Sequence, residues 1–469
     1  MTRRAVAALL SVVPVLAGAQ DRERCFFDNT PQTRQTSTLL ESGQRNTFFG
    51  GGVLVRCPSR DLRLRADSLE SYGDEGRIFL IGRVYYDEPR LSLTSDYLTY
   101  KQITEQIFAS SNVVAKSVKS GSTLRGPTLE YFRVMSDRPA TKIVAVQRPT
   151  ITLVQKDSSG KPSDTLLVVS DRVMMIGDSI VYAGGAVVIT RTEVEAKGDS
   201  VFIDSERELM VLMRGPSITG KGDRPFTLTG TRIEMTTRNR ALSRVFAMGQ
   251  GNAVSQDMTL ASDTIDLRVT DNLLQRAIAW GPGRATITSA AQRILSDSID
   301  VLMPGQRIRE LHAVRGAIAE GKPDTSRFKA DTVDWLRGDT IVAKFDSTAA
   351  RDTASAAQLK ELIARGGARS YYHTAPADTA MRKAAINYVN GRQIVVAFAQ
   401  RRASKVTVVG KASGVYVEPK PDARAATKAA PDSKTPTKAA PDTKATTKAP
   451  TDTKATKAVP PRPPTAKPN

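Results

Sequence analysis

Two histidines, His312 and His373, are the residues best suited to act as a general base or a metal pair. They lie far apart in the chain, and neither neighbours a cysteine or a carboxylate cluster, so both are expected at surface positions. Gly215-Pro216-Ser217-Ile218-Thr219-Gly220-Lys221 has the look of a phosphate loop. Gly222 stands where Ser or Thr should hold magnesium, and Asp223-Arg224-Pro225 cannot open the helix such a loop needs. The expectation is a hairpin turn. Aspartates recur along the chain and raise the question of calcium, but calcium-binding β-rolls use glycine-rich nonapeptides, and the period here is near 30 residues. Turn capping explains them better. The sequence has no G-x-S-x-G elbow and no C-x-x-C pair. These readings predict no enzyme, no cofactor and no metal site. Basic residues are not interleaved with aromatics as on a base-stacking surface, so nucleic acid is not an expected partner.

The two cysteines, Cys25 and Cys57, sit near the start of a chain that carries an export signal. Arg3 and Arg4 precede an apolar run from Ala5 to Ala17, and Ala17-Gly18-Ala19 is a small-residue cleavage pattern. That run is shorter than the roughly 20 residues of a membrane span. Export to an oxidising compartment favours a disulfide between the cysteines over two free thiols. Gln20, not cysteine, follows the cleavage point, which argues against a lipoprotein. The reading is residues 1–19 as signal peptide and 20–60 as an N-terminal segment holding the cysteines. A repeated body follows over 61–418, then a disordered tail over 419–469. In that tail, from Pro419 to Asn469, 11 Lys/Arg face 4 Asp, so part of the formal charge of +20 is a tail effect. The rest of the chain is still basic, which suits anionic lipid headgroups or polysaccharide.

The body must position whatever function exists, and its repeats are the informative feature. A small residue, an Asp, and apolar residues two and four positions later recur. They appear as Ser262-Asp263-Thr264-Ile265-Asp266-Leu267, Ser296-Asp297-Ser298-Ile299-Asp300-Val301 and Ala330-Asp331-Thr332-Val333-Asp334-Trp335, at steps of 34 residues. Looser copies begin at Asp67, Asp96, Asp171 and Asp199, for about ten units in all. Each Asp is expected at a strand start, capping a bend. Each unit then runs through a Gly or Asn, as in Ile78–Tyr86 around Gly82, Ile107–Ala115 around Asn112, Ile180–Ile189 around Gly184-Gly185, and Leu311–Ile318 around Gly316. Alternation at period two with such punctuation predicts strands joined by tight turns. Leu359–Tyr372 also reads as strand–Gly–strand in preference to a helix. Lys156–Thr165 and Phe345–Gln358 are expected as polar loops.

One hairpin cannot bury its apolar face, but a stack can. If each unit gives one strand to each of two facing sheets, ten units make a stack of roughly 50 Å at about 4.8 Å per strand. The fold class is all-β, an elongated β-jellyroll of stacked antiparallel hairpins. An apolar seam would run between its sheets, with open strand edges at both ends.

Leu64-Arg65-Ala66-Asp67-Ser68-Leu69 followed by Gly82-Arg83-Val84-Tyr85-Tyr86, then Leu91-Ser92-Leu93-Thr94-Ser95-Asp96-Tyr97-Leu98, resemble the OstA-like domain of lipopolysaccharide transport proteins, the LptA-like family. Ala385 to Val417, with Gly410-Lys411-Ala412-Ser413-Gly414-Val415-Tyr416, is similar too. The resemblance covers about Arg60 to Glu418. It implies a periplasmic β-jellyroll that shelters lipopolysaccharide acyl chains, binds like domains end to end, and sits at the periphery of the outer membrane. It carries no catalytic motif. Alternation then assigns the groove-facing positions as Leu69, Ile78, Leu80, Val84, Leu98, Val113, Val173, Val201, Ile265, Ile299 and Val333. Each buried methylene contributes about 0.8 kcal/mol, so a twelve-carbon chain needs on the order of 10 kcal/mol of shelter, which such a groove would supply. The alternative is a structural stalk or surface protein with the same sheets and no lipid transport. A transmembrane barrel fits poorly because aromatics, at 6%, are too few for interfacial girdles.

Overall fold

The computed structural model describes residues 25–420, apart from 30, 157–161, 193, 222–224, 239–240, 256–257, 272, 324, 327, 347–357, 378–381 and 400–401. The expected signal peptide, and the expected disordered tail from 421 onward, lie outside the described residues.

Alternation and β-branched content win throughout, and the described residues fold into one antiparallel ladder of 28 strands. β1 (Phe26–Asn29) and β2 (Arg34–Leu39) lie end to end against β3 (Arg45–Cys57). β4 (Leu62–Tyr72), β5 (Arg77–Asp87), β6 (Leu91–Lys101), β7 (Gln106–Ser117) and β8 (Thr123–Phe132) follow, each pairing with the one before. β9 (Lys142–Val146) and β10 (Thr150–Lys156) share the next rung, and β11 (Pro162–Val169) and β12 (Arg172–Ile176) the one after. β13 (Ile180–Arg191) and β14 (Val194–Asp204) are continuous again. β15 (Leu209–Met213) with β16 (Ser217–Gly220), then β17 (Phe226–Thr229) with β18 (Arg232–Arg238), form two more split rungs. β19 (Ala241–Ser255), β20 (Met258–Thr270), β21 (Leu273–Ser289) and β22 (Gln292–Leu302) continue the ladder. So do β23 (Glu310–Gly321), β24 (Asp334–Asp346), β25 (Gln358–Thr374) and β26 (Ala385–Ala399). β27 (Arg402–Val409) and β28 (Ser413–Val417) share the last rung against β26. Segment 20–60 is therefore part of the same sheet from Phe26 onward.

The all-β fold is as expected, but the turns are not. Gly82, Asn112, Gly184-Gly185 and Gly316 lie inside single strands rather than at hairpin tips. At each, the pairing register slips, as between Ile81 and Val84 in β5 and between Val314 and Ala317 in β23. A β-bulge bends a strand without ending it. The true hairpins close at the strand ends, for instance Gly73–Gly76 and Glu88–Leu91. Each long strand thus contributes its two halves to two half-sheets, and each sequence unit adds two rungs. Six rungs are split, so the 28 strands make 22 rungs among the described residues. At about 4.8 Å each this is roughly 100 Å along the ladder, twice the sequence-based expectation.

The bulges line up into a spine, and the repeated aspartates sit on it rather than at strand starts. Asp67 lies in β4 between Arg65 and Ser68, and Asp96 in β6 between Thr94 and Tyr97. On the adjacent rung stands a residue in the left-handed region, such as Gly82 (φ 76°) followed by Arg83 (φ 44°). A Cβ on Gly82 would collide with the Asp67 carboxylate; Gly185 meets Asp171 in the same way, Gly281 meets Asp263, and Gly366 meets Asp339. The Asp carboxylates bond outward: Arg83 donates to Asp67 at 2.6 Å, Arg148 to Asp171 at 2.9 Å and Asn112 to Asp96 at 2.7 Å. Hydrogen bonding from Arg83 holds the Asp67 carboxyl below its ordinary range.

Asp331 is the exception. It precedes β24, and the bulge of that strand lies between Arg337 and Thr340, so Asp339 takes the spine position. Leu359–Tyr372 is one bulged strand, β25, as expected of strand over helix. Gly215 is a break on the spine between β15 and β16; the rest of that segment runs through β16 into its antiparallel partner β17, as a hairpin requires, with residues 222–224 outside the described set. Of the two polar loops, residues 157–161 and 347–357 lie outside the described set, and the flanking Lys156, Pro162, Phe345 and Asp346 belong to strands.

Candidate functional site

Between the half-sheets, inward side chains pair rung by rung into two facing rows. On one half-sheet, Phe49 opposes Leu69, Leu69 opposes Leu80, and Leu80 opposes Leu98. Ala109, Leu129, Ala145, Val173, Ala183, Val201, Leu212 and Ile233 carry the row on. It then alternates strictly: Ala247, Ile265, Ala279, Ile299, Ala313, Ile341, Ala364, Ile394. The facing row includes Leu64, Tyr86, Leu93, Ala115, Leu124 and Ile151 on its first rungs, and Leu260, Ile287, Ile294, Ala319 and Leu336 later. At β7, β19 and β23 both rows are narrow, with Ala109 across from Ala115, Ala247 from Ala253 and Ala313 from Ala319. Nearly all of these residues are buried and belong to one continuous apolar cluster.

Leu69, Leu80, Leu98, Val173, Val201, Ile265 and Ile299 therefore fall in a single row, which the sequence could not show. Val84 and Val113 are buried beside the spine on the other half-sheet, and Ile78 is half-buried against the core. Val333 is wrongly assigned: it is 45% exposed and lies before β24, because the third Asp copy is out of phase with the spine. The seam is closed by these side chains. An open hollow of about 450 Å³ lies among Glu70, Tyr72, Phe79 and Tyr97, with Leu80 and Leu98 of the row also lining it.

Opposite the spine the two half-sheets meet again along the hairpin turns. Over β3–β8 this meeting is ionic, and sequence reasoning missed it. Arg133, after β8, donates to Glu88 and to Glu105, both at 3.0 Å. Arg60 reaches Glu105 at 3.3 Å. The Tyr86 hydroxyl donates to Glu88 at 2.7 Å and the Tyr131 hydroxyl donates to its other oxygen. Arg60, Tyr86 and Glu88 come from one half-sheet; Glu105, Tyr131 and Arg133 come from the other. Glu88 is only 7% exposed. Burial, then the Glu88 charge, pushes both phenols well above the usual tyrosine range. Burial alone would lower the Arg133 pKa, but Tyr86, Glu88 and Glu105 outweigh it and leave it raised. The only hint in sequence is that three charged members each sit beside a strand end, Glu88 and Arg133 just past one and Glu105 just before the next strand begins.

His373 is not at the surface. Its side chain is 4% exposed, its Nδ1 lies 2.7 Å from Asp334, and Phe328 stacks on it. Its Nε2 is 3.2 Å from the Thr332 hydroxyl, which the Tyr371 phenol shares at 3.3 Å. The order hydroxyl, imidazole, carboxylate matches a relay, but the imidazole is packed under Phe328 rather than aimed at a cleft. His312 is half-exposed, 3.3 Å from Glu310. Cys25 and Cys57 are disulfide-bonded, which fastens β1 to the end of β3. Among the described residues, no group of three or more His, Cys, Asp or Glu could hold a metal, and no helix is long and apolar enough to cross a membrane.

The chain matches no protein-family model, and no curated protein matches it.

Proposed function

We propose that the protein carries lipid between the membranes of a bacterial envelope, with the acyl chains lodged between its two half-sheets. One observation carries this reading: one apolar row runs without interruption from β3 to β26, and the row facing it runs from β3 to β24, as far as Ser370. Among the described residues the half-sheets are joined covalently only along the spine, so they can part on the opposite side. In this reading the inserted chains replace contacts across the seam, and no chemistry is needed. Lipopolysaccharide is the preferred cargo, since a basic chain suits its phosphates. The compartment is the periplasm, beside the outer membrane. At the ladder ends, β1 and β2 pair only with β3, and β27 and β28 only with β26, among the described residues. Exposed Phe26, Leu39, Val415 and Tyr416 on these end rungs suit other jellyrolls adding end to end.

A closed seam also favours a second reading, a structural β-repeat stalk. Native mass spectrometry of protein purified from periplasm, with lipid extraction and added lipopolysaccharide, separates the two. Bound lipid at defined stoichiometry is expected. Protein that is lipid-free and takes up none would leave the stalk.

A further inference from the structure

We propose that the ionic cluster of Glu88, Arg133, Glu105 and Arg60, with the phenols of Tyr86 and Tyr131, is a latch over the one stretch of the seam built to open. The proposal rests on the lipid-carrier reading, and it names where cargo enters.

The position of the cluster sets it apart. Beside the main row, a second inward row runs along the turn side of the same half-sheet. Past β8 it is apolar: Ile143, Met175, Val181, Ile203, and later Val301 and Leu311. Among the described residues it carries hydroxyls within β3–β8, at Thr47, Ser71, Tyr100 and Tyr131. There the closing contacts include charge pairs between turns of the two half-sheets, Arg60 with Glu105 and Arg133 with Glu88.

Charged closure and apolar closure differ in what opening costs. Parting an apolar contact exposes hydrocarbon to water with nothing in return. Parting a buried ion cluster returns each charge to water and recovers much of its desolvation penalty. The β3–β8 stretch is therefore the cheapest place for the half-sheets to separate. Once freed, Arg60 and Arg133 face the opening as guanidiniums able to bind a phosphate on incoming lipid in bidentate fashion. The Cys25–Cys57 disulfide holds β1 against the end of β3, on the Arg60 side of the opening, so the edge rung stays in place while the turns move.

The test uses the mature chain with two variants and two readouts. Hydrogen exchange follows the turns at Glu88 and Arg133. Uptake follows a fluorescently labelled dodecanoic acid and, separately, lipopolysaccharide. Glu88→Ala removes the shared acceptor; exchange at both turns is expected to rise at least about tenfold, and uptake to quicken, because Arg133, left with Glu105 on its own half-sheet, no longer ties its turn to the Glu88 turn. The double variant Glu88→Leu/Arg133→Met replaces the charges with hydrocarbon; it is expected to fold, to slow exchange at the turns and to slow uptake. A merely structural cluster would leave uptake unchanged in the double variant, since the folded seam is preserved. That result, or unchanged exchange at the turns in Glu88→Ala, overturns the latch. If the unmodified chain takes up neither lipid, the carrier reading fails while the exchange data still decide whether these turns open.

Discussion

Ile299→Ala tests the packed row where it is most regular. Ile299 is 0% exposed and sits between Ala279 and Ala313, its neighbours on the adjacent rungs. The substitution removes three carbons, which at about 0.8 kcal/mol each is roughly 2.4 kcal/mol of lost transfer energy. The two flanking alanines cannot fill the gap, so a cavity term of about 1–2 kcal/mol adds to it, for a loss of roughly 3.5–4.5 kcal/mol. The loss is read from urea unfolding followed by tryptophan fluorescence, with Trp280 on the adjacent strand as a local reporter. Hydrogen exchange of β21–β23 accompanies it, because an array of rungs need not unfold all at once. The control is Val333→Ala, at the exposed position, expected within about 0.5 kcal/mol of the native chain. If the cavity lies in a trough for hydrocarbon, saturating lipid should restore about 2.7 kcal/mol at a hundredfold excess over its Kd. A loss below about 1 kcal/mol would refute the row as a packed seam. A full loss that lipid leaves untouched would refute the trough.

Gly82→Ala places a Cβ against the Asp67 carboxylate at φ 76° and should cost about 1–3 kcal/mol, measured by urea midpoint; Asp67→Ala in the same chain should recover part of it. Tyr86 and Tyr131 both titrate above the ordinary value of 10.0. Their contribution to stability is therefore whole below pH 10 and is lost as pH rises beyond it. Ultraviolet titration should show these two phenols ionising only with unfolding, and a Tyr131→Phe variant should lose one late-titrating group. Reducing the Cys25–Cys57 disulfide, at a sequence separation of 32, should cost roughly 3–4 kcal/mol in chain-entropy terms. It should also free β1, read as faster hydrogen exchange at Phe26–Asn29 with β4–β8 unchanged.

Strand content was legible in sequence because alternation is a local signal, and so were the inward positions Leu80, Leu98 and Ile265, which follow from it. What Gly82 and Asp67 do was not legible. A glycine with φ > 0 serves a hairpin tip and a bulge equally well, and only pairing across rungs tells them apart. Letter spacing misled at Asp331, where the motif is intact but the strand starts three residues later. The Glu88 cluster was invisible for another reason. Its bonded partners lie up to 45 residues apart and meet only because two bent half-sheets bring alternate turns together. The Ala–Ile order, too, emerges only once the register is known.

That order, small then large on successive rungs from Ala247 to Ile394, has a period of two strands, about 9.6 Å. A shift of one period along this row brings back the same contours. The facing residues, from Leu260 and Ile287 to Ala319 and Leu336, do not repeat in step with it, so one wall of the seam is periodic and the other is not.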